Sequence, residues 1–329
     1  MDHGGGGRLS AELVSRIMLP VFDNPQLSRM DDGAVFETEG VRFAFSTDSY
    51  VVDPVFFPGG NIGDLAVNGT VNDIAMCGAI PLYLSAGFII EEGFSLDALT
   101  RIVEAMGQAA RKAGVQVVTG DTKVVPAGAA DKIYINTSGI GRVLKGVSVS
   151  ASHARPGDKV LLSGTIADHG MTIMAHREGL LLGAPIASDS APLNGMVERM
   201  LAAAKGIHVL RDPTRGGVAA ILNEIAAASG VGIRISENRV PILESVSGLC
   251  EMLGLDPLYV ANEGKLIAVV PEEYADPVLA SMKEDPFGKD ARIIGEIVSD
   301  HPACVVLETV IGGERIVDMP TGNPLPRIC

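Results

Sequence analysis

Cysteine is scarce in this chain of 329 residues: Cys77, Cys250, Cys304 and Cys329 lie far apart, with no CxxC. That spacing points away from a zinc site or a disulfide framework. Tryptophan is absent altogether, which excludes nothing. Long apolar runs are missing too: no stretch approaches ~20 uninterrupted apolar residues, so no membrane span is expected. The opening "MDHGGGGRLSAELVSRIMLP" is glycine-rich and then amphipathic, without the basic start and apolar centre of a secretory signal. A cysteine in the last position does not fit a prenylation signal, which sets it further in. Cations are in short supply, 26 Lys and Arg against 40 Asp and Glu, for a formal net charge of −14. Such a surface repels phosphate backbones, so nucleic acid is not an expected partner. No GxxxxGK[ST] occurs, and no GxGxxG follows a strand, so neither a P-loop nor a dinucleotide fold is indicated. These absences leave a globular protein expected in the cytoplasm.

What the chain has is enough apolar residues, 47%, to fill proper cores. Its length suggests two domains of about 100–200 residues each. "VRFAFSTDS" (41–49) reads as a strand ending in polar residues. "GDLAVNGTVNDIAMCGAIP" (63–81) reads as a helix that Pro81 ends or follows, and "PLYLSAGFII" (81–90) as a strand. The clearest helix is 95–114, with Ser95 as N-cap, Arg111 and Lys112 in its last turn, and Gly114 beyond it. "VQVVTGDT" reads as a strand and then a turn, and 132–143 as a further strand. A break falls at "SHARPGDKVLLSG", after which a strand opens at 159–164 and helices follow near 168–178, 192–205 and 218–230. Strands at 265–270, 291–298 and 304–308 complete the second half. Strands and helices mix without regular alternation, so an α+β (mixed α/β) fold is expected rather than a doubly wound sheet. The expected division is 1–150, 151–318, and a mobile tail over 319–329.

Several short stretches set carboxylates beside turns or element ends: "MDDGAVF" (Asp31, Asp32), "STDS" (Asp48), "NDIAMCG" (Asn72, Asp73), "TGDTK" (Asp121, Lys123) and "LRDPTRGG" (Asp212). Each alone reads as an Asp that caps a helix or fills a turn. Together they could converge on a hard cation such as magnesium. Two glycine clusters, "HGGGG" (3–7) and "TRGGV" (214–218), could offer backbone N–H groups to phosphate, with Arg215 adding a cation. The alternative for the first is simply a loose N-terminus. Glu263, in "NEG" before an apolar strand, is either a surface residue or a catalyst with Lys123 as counter-charge. His169, in "DHGM", reads as structural, since no second His or Cys sits at ligand spacing. The sequence closes on "NPLPRIC", whose cysteine is either on an idle end or on an arm stiffened by Pro320, Pro324 and Pro326.

Taken together, "DDGAVF", "STDSYVVDPVFFPGGNIGDLAVNGTVNDIAMCGA", "TGDTKVV", "SGTIADHGM", "LRDPTRGGVA", "YVANEGK" and the final "PRIC" resemble the HypE family of hydrogenase maturation factors. The matches run from His3 to Cys329. "NDIAMCGA" is shared across the wider aminoimidazole-ribonucleotide synthetase-like superfamily, which includes selenophosphate synthetase and thiamine-phosphate kinase; "DPTRGG" and "PRIC" narrow it.

The resemblance implies a two-domain aminoimidazole-ribonucleotide synthetase-like fold with a flexible C-terminal tail, and a homodimer formed through the N-terminal domain. It implies a carbamoyl dehydratase: a HypF carbamoyltransferase loads a carbamoyl group on Cys329, and ATP-dependent dehydration makes it a thiocyanate. The cyano group then passes to iron on a HypC–HypD complex, as a ligand of the [NiFe]-hydrogenase centre. Read onto this chain, ATP would be held by Asp48, Ser49, Asn68, Asn72, Asp73, Asp121, Thr122, Arg215 and Gly216. Mg2+ would be held by Asp31, Asp48, Asp73 and Asp212, with Asp32 not separable from Asp31. Glu263 would be the base, tuned by Lys123. The rivals are another ATP-dependent member of the superfamily, or a non-catalytic carrier that merely offers a thiol. Selenophosphate synthetase is disfavoured because it needs a reactive Cys or selenocysteine near its N-terminus, where this chain has "MDHGGGG".

Overall fold

The structure, a computed structural model, describes residues 7–22, 24–180, 186–322 and 327–329. Its first sheet has five strands: β1 (Ala34–Thr38), β2 (Val41–Tyr50), β3 (Ala79–Glu91), β4 (Gln116–Val125) and β5 (Ile133–Val143). Their order is β1-β2-β5-β3-β4, with β3 and β4 parallel and the other neighbours antiparallel. Along β2 the pleat sends Ala44, Ser46 and Tyr50 inward and Phe45, Thr47 and Ser49 outward. The inward face packs on helix α1 (Ile62–Met76), which in turn packs on α2 (Leu96–Ala113). Asn61 and Asp64 close a capping box at the start of α1, while Ser95 caps α2 and Gly114 ends it at φ +73°.

One local expectation needs correcting, and an open alternative is resolved. The stretch 120–122 is not a turn but continues β4, paired with Gly87 and its neighbours on β3. Gly120 permits this, because a Cβ there would stand 2.2 Å from the carbonyl oxygen of Ala86. Pro81 does not end the helix; it lies within β3, at a register shift where its missing N–H breaks no regular ladder.

The second sheet has seven strands: β6 (Lys159–Leu162), β7 (Val209–Arg211), β8 (Gly232–Ser236), β9 (Ile267–Val270), β10 (Arg292–Val298), β11 (Cys304–Glu308) and β12 (Glu314–Ile316). Their order is β12-β11-β8-β10-β6-β9-β7. The apolar runs "KVLL" and "IAVV" feed both faces. Val160, Leu162, Ile267 and Val269 share a core with the helix Gly217–Ser229, whereas Leu161, Ala268 and Val270 share one with Asn194–Ala203 and Glu272–Lys283. Burial on both sides explains why these strands do not alternate in sequence. A further helix, α3 (Asp168–Arg177), joins the core of the first sheet. The seam between the halves therefore runs past α1, α3 and the ends of β2 and β9.

Candidate active site

The pleat of β2 places Asp48 and Tyr50 on the side that faces the seam. The phenol of Tyr50 is 1% exposed and fits because Gly69 of α1 has no side chain: a Cβ there would come within 2.1 Å of its oxygen. On α1, Asp73 accepts a hydrogen bond of 2.6 Å from the Ser46 hydroxyl. From the second half, the turn 212–217 brings Asp212 and Arg215. Its Gly216 and Gly217 take φ of +82° and +62° just as the helix Gly217–Ser229 begins, a conformation that suits glycine. Glu263, 4% exposed, approaches from the loop before β9, held by its backbone N–H on Asp189 at 3.0 Å. The next residue must be Gly264, where a Cβ would lie 1.8 Å from the carbonyl oxygen of Asp189.

The end of the chain reaches this place. Cys329 is 8% exposed, and its carbonyl accepts from the Val51 N–H at 3.0 Å. The Asp53 N–H donates to the Arg327 carbonyl at 3.3 Å, and Arg327 Nε donates to the Val51 carbonyl at 2.9 Å. Arg327 also pairs with Asp131, and Arg177 donates to the Arg327 carbonyl. The Ile328 carbonyl is held by His169 Nε2 at 2.7 Å. The described end of the expected mobile tail is thus docked, with its thiol enclosed. Pro324 and Pro326 lie outside the described residues, as do positions 3–6 of the first glycine cluster.

The electrostatics follow from crowding carboxylates in a buried seam. Burial raises the Glu263 carboxyl well above its ordinary range; Asp48, Asp189 and Asp212 raise it further, and Arg215 opposes them. Burial likewise raises Asp73, with Asp212, Asp48 and Asp32 adding to it. Asp48 is raised by burial and partly relieved by Arg215, and Asp212 is pushed up to about 6 by burial. The Cys329 thiol is pushed up by burial, eased by Arg215, and raised again by Glu263 and Asp48 and by a hydrogen bond to Glu263. Thiol, Glu263, Asp48 and Arg215 therefore share one small space.

Other candidates fall elsewhere. Asp31 caps the turn 151–153, accepting from Ser150 Oγ at 3.1 Å and Ala151 N at 3.2 Å. Asp32 pairs with the buried Arg211 at 2.7 Å, and Arg211 also pairs with Glu224. Asn72, expected to position nucleotide, has its amide engaged by backbone: it donates to Ala191 and Glu263 carbonyls and accepts from Leu193 N. Asn68 donates to Ser190, leaving its Oδ1 buried with no partner. Ser49, Asp121 and Lys123 line an open groove of about 400 Å³ on the outer face of the first sheet. Lys123 pairs there with Asp121 rather than standing beside Glu263, because alternation on β2 and β4 sets this groove on the far side from Asp48. Thr122, exposed on β4, caps Asp121 through its N–H at 2.9 Å. Sequence reasoning missed Tyr50, Asp189 and Arg177. The two-residue period from Asp48 could have found Tyr50; nothing local marks the other two.

Hard oxygen donors gather at Asp48, Asp73 and Asp212, and Asp32 Oδ2 is buried without a partner. Their mutual repulsion is what a divalent cation would relieve, so the donor chemistry fits magnesium. Among the described residues no three His, Cys, Asp or Glu side chains are already grouped to hold a metal by themselves.

Residues 30–143 match the N-terminal domain of AIR synthase related proteins, and 155–306 match the C-terminal domain. Carbamoyl dehydratase HypE of Azotobacter vinelandii is 54% identical over 100% of this chain and 96% of its own length. The crystal structure of a HypE–HypF complex contains a chain with a TM-score of 0.90 and 51% identity, covering 94% of this chain and 99% of that one. HypE in complex with ATP has a TM-score of 0.86 and 53% identity, covering 98% of each. Thiamine monophosphate kinase from Aquifex aeolicus shares the fold alone, at 19% identity and a TM-score of 0.66.

Proposed function

The chain belongs to the HypE family of carbamoyl dehydratases, and we propose that Cys329 is its covalent substrate handle and Glu263 its base. The enzyme uses ATP to dehydrate a carbamoyl group on the Cys329 sulfur to a thiocyanate, supplying the cyano ligand of the [NiFe]-hydrogenase iron. The thiocarbamate oxygen attacks the γ-phosphorus of ATP, releasing ADP and leaving an imidate phosphate on carbon. Loss of that phosphate, with the nitrogen protons removed, gives the nitrile. The balance is thiocarbamate plus ATP to thiocyanate, ADP, phosphate and one proton.

The observation that carries this reading is the Cys329 thiol, 8% exposed and docked through its backbone on Val51, in the buried seam that also holds Glu263 and Arg215. Burial and neighbouring carboxylates raise Glu263, which makes its ionised form a stronger base toward an N–H proton. Arg215 offers positive charge where the transferred phosphoryl oxygens would gather. One or two of the carboxylates Asp48, Asp73 and Asp212 would hold magnesium together with the phosphates of ATP, whose charge it would neutralise, while Asp32 stays with Arg211. Asn68 and Gly216 border the nucleotide, while Asn72 acts through the loops it ties together.

HypF is the partner that loads the thiol, and a HypC–HypD complex the acceptor of the cyano group. Both need Cys329 outside, and eleven residues from Met319 span roughly 30 Å when extended. A homodimer would form through the open face of the first sheet. There β4 is an edge strand exposed along nearly its whole length, carrying Val117, Val118 and Val124. Among the described residues no helix is long and apolar enough to cross a membrane; a cytoplasmic location is consistent with four free thiols. The test of the base is Glu263→Gln on carbamoylated protein in single-turnover dehydration with MgATP. A loss of at least about a hundredfold with ATP affinity retained is expected; wild-type rate would remove Glu263 from the role.

A further inference from the structure

We propose that the chain carries a receptor for its own Arg327-Ile328-Cys329 segment, and that His169 is the positioning residue that seats Cys329 against Glu263. This rests on the reading of Cys329 as the group's carrier. The main-chain oxygens of these three consecutive residues are each claimed. Those of residues 327 and 329 point one way, to the N–H groups of Asp53 and Val51 at 3.3 and 3.0 Å. The carbonyl of Ile328, which follows the left-handed Arg327 at φ +53°, goes instead to His169 Nε2 at 2.7 Å.

His169 is built for this contact. It lies in the first turn of α3 and is 0% exposed. A carbonyl can only accept, so Nε2 carries the proton and Nδ1 accepts from the Ser188 hydroxyl at 2.8 Å. Ser188 is itself fixed by its N–H on the Pro58 carbonyl at 2.9 Å, and Phe57 meets the imidazole edge-on at 5.6 Å. The ring is therefore held in one orientation and tautomer by residues of both halves. Its Nε2 partner lies 159 residues away in the last segment, an arrangement that internal packing of α3 does not call for.

Side chains add selectivity. Ile328 is 2% exposed and belongs to the apolar core that also includes Ala167, Met171, Val260 and Ala261. Arg327 engages Asp131 and the Val51 carbonyl, so the rim reads a cation and the interior an aliphatic residue. None of these seating contacts uses the Cys329 side chain. The same seat therefore serves the free thiol, the carbamoylated and the cyanated forms.

Site-resolved alkylation of the full-length protein, without ATP or partners, tests this. In the wild type Cys329 should react slowly. His169→Ala should raise its rate about tenfold, the factor set by losing one buried hydrogen bond, with Cys77 and Cys250 unchanged. His169→Gln, which keeps an amide donor, should restore much of the protection. Ile328→Ser, which alters only the tail, should also expose the thiol. The proposal is overturned if Cys329 reacts at the wild-type rate in both His169→Ala and Ile328→Ser. It is equally overturned if Cys77 and Cys250 rise in step with Cys329 and Gln protects no better than Ala, since His169 would then be merely structural. The readout needs no dehydration, so it stands or falls apart from the carbamoyl chemistry.

Discussion

Asn72→Ala separates a structural clamp from a nucleotide contact, and the structure fixes the size of the effect. The Asn72 side chain is 1% exposed and bonds Ala191 O at 3.0 Å, Glu263 O at 3.3 Å and Leu193 N at 2.8 Å. Removing it strands a buried N–H and weakens two buried carbonyls. At about 1–3 kcal/mol for each unsatisfied group, less what an entering water restores, the loss is about 4 kcal/mol. At about 2 °C per kcal/mol for a chain of this size, Tm should fall by roughly 8 °C. Asn72→Asp keeps the acceptor for Leu193 but sets a carboxylate against two carbonyls, so it should destabilise as well. Thermal denaturation with calorimetric ATP titration below the transition is the assay. ATP affinity should stay within a few-fold of wild type. An unchanged Tm together with lost ATP binding would refute the clamp and return Asn72 to the nucleotide.

Gly264→Ala forces the Asp189 carbonyl, 1.8 Å from the new Cβ, to move, and with it the residue that holds Glu263. Single-turnover dehydration should drop about a hundredfold, as misplacements near 1 Å do; an unaffected rate would mean Glu263 is not positioned through this loop. Acid should loosen the fold through His169, whose pKa burial lowers from 6.5 to about 4. The unfolded chain binds this proton first, so the stability is whole above about pH 6.5 and drains as pH falls toward 4. The raised carboxylates, Asp212 at about 6 among them, gain protons first in the folded chain and work the other way in this window, so the readout is a difference: in urea titrations the stability of wild type relative to His169→Gln should fall as pH falls, and a constant difference would take His169 out of the acid response. Val118→Glu on the open edge strand should convert a dimer to monomer in sedimentation velocity, and a persistent dimer would move the interface off this face.

Much of the fold was legible because its signals are local. Ser95 and Gly114 mark their helix by side-chain and backbone chemistry that needs no tertiary partner. The strand at 120–122 was not, because Gly-Asp-Thr reads as a turn until β3 is known to approach within the space a Cβ would fill. The short strand Val209–Arg211 and the helix Glu272–Lys283, which carries an internal proline, offer little periodicity of their own. At the site, residue types pointed to the acidic seam, Glu263 and the thiol. The face each side chain takes was harder: Ser49 follows Asp48 directly, yet the pleat sends it to the opposite side with Asp121 and Lys123. Asn72 looked like a ligand because a buried amide and a ligand-binding amide are the same group in sequence. Only the backbone it meets tells them apart.

The central claim is that this chain itself makes the thiocyanate, rather than merely carrying a thiol between partners. The direct test is the mass of the C-terminal peptide from protein carbamoylated beforehand and then given MgATP alone. Loss of one water from the peptide bearing Cys329, with ADP and phosphate formed in equal amount, is the predicted result. Cys329→Ala should still bind ATP and show no modification. An unchanged carbamoylated peptide after full exposure to MgATP would contradict the account and leave a carrier in its place.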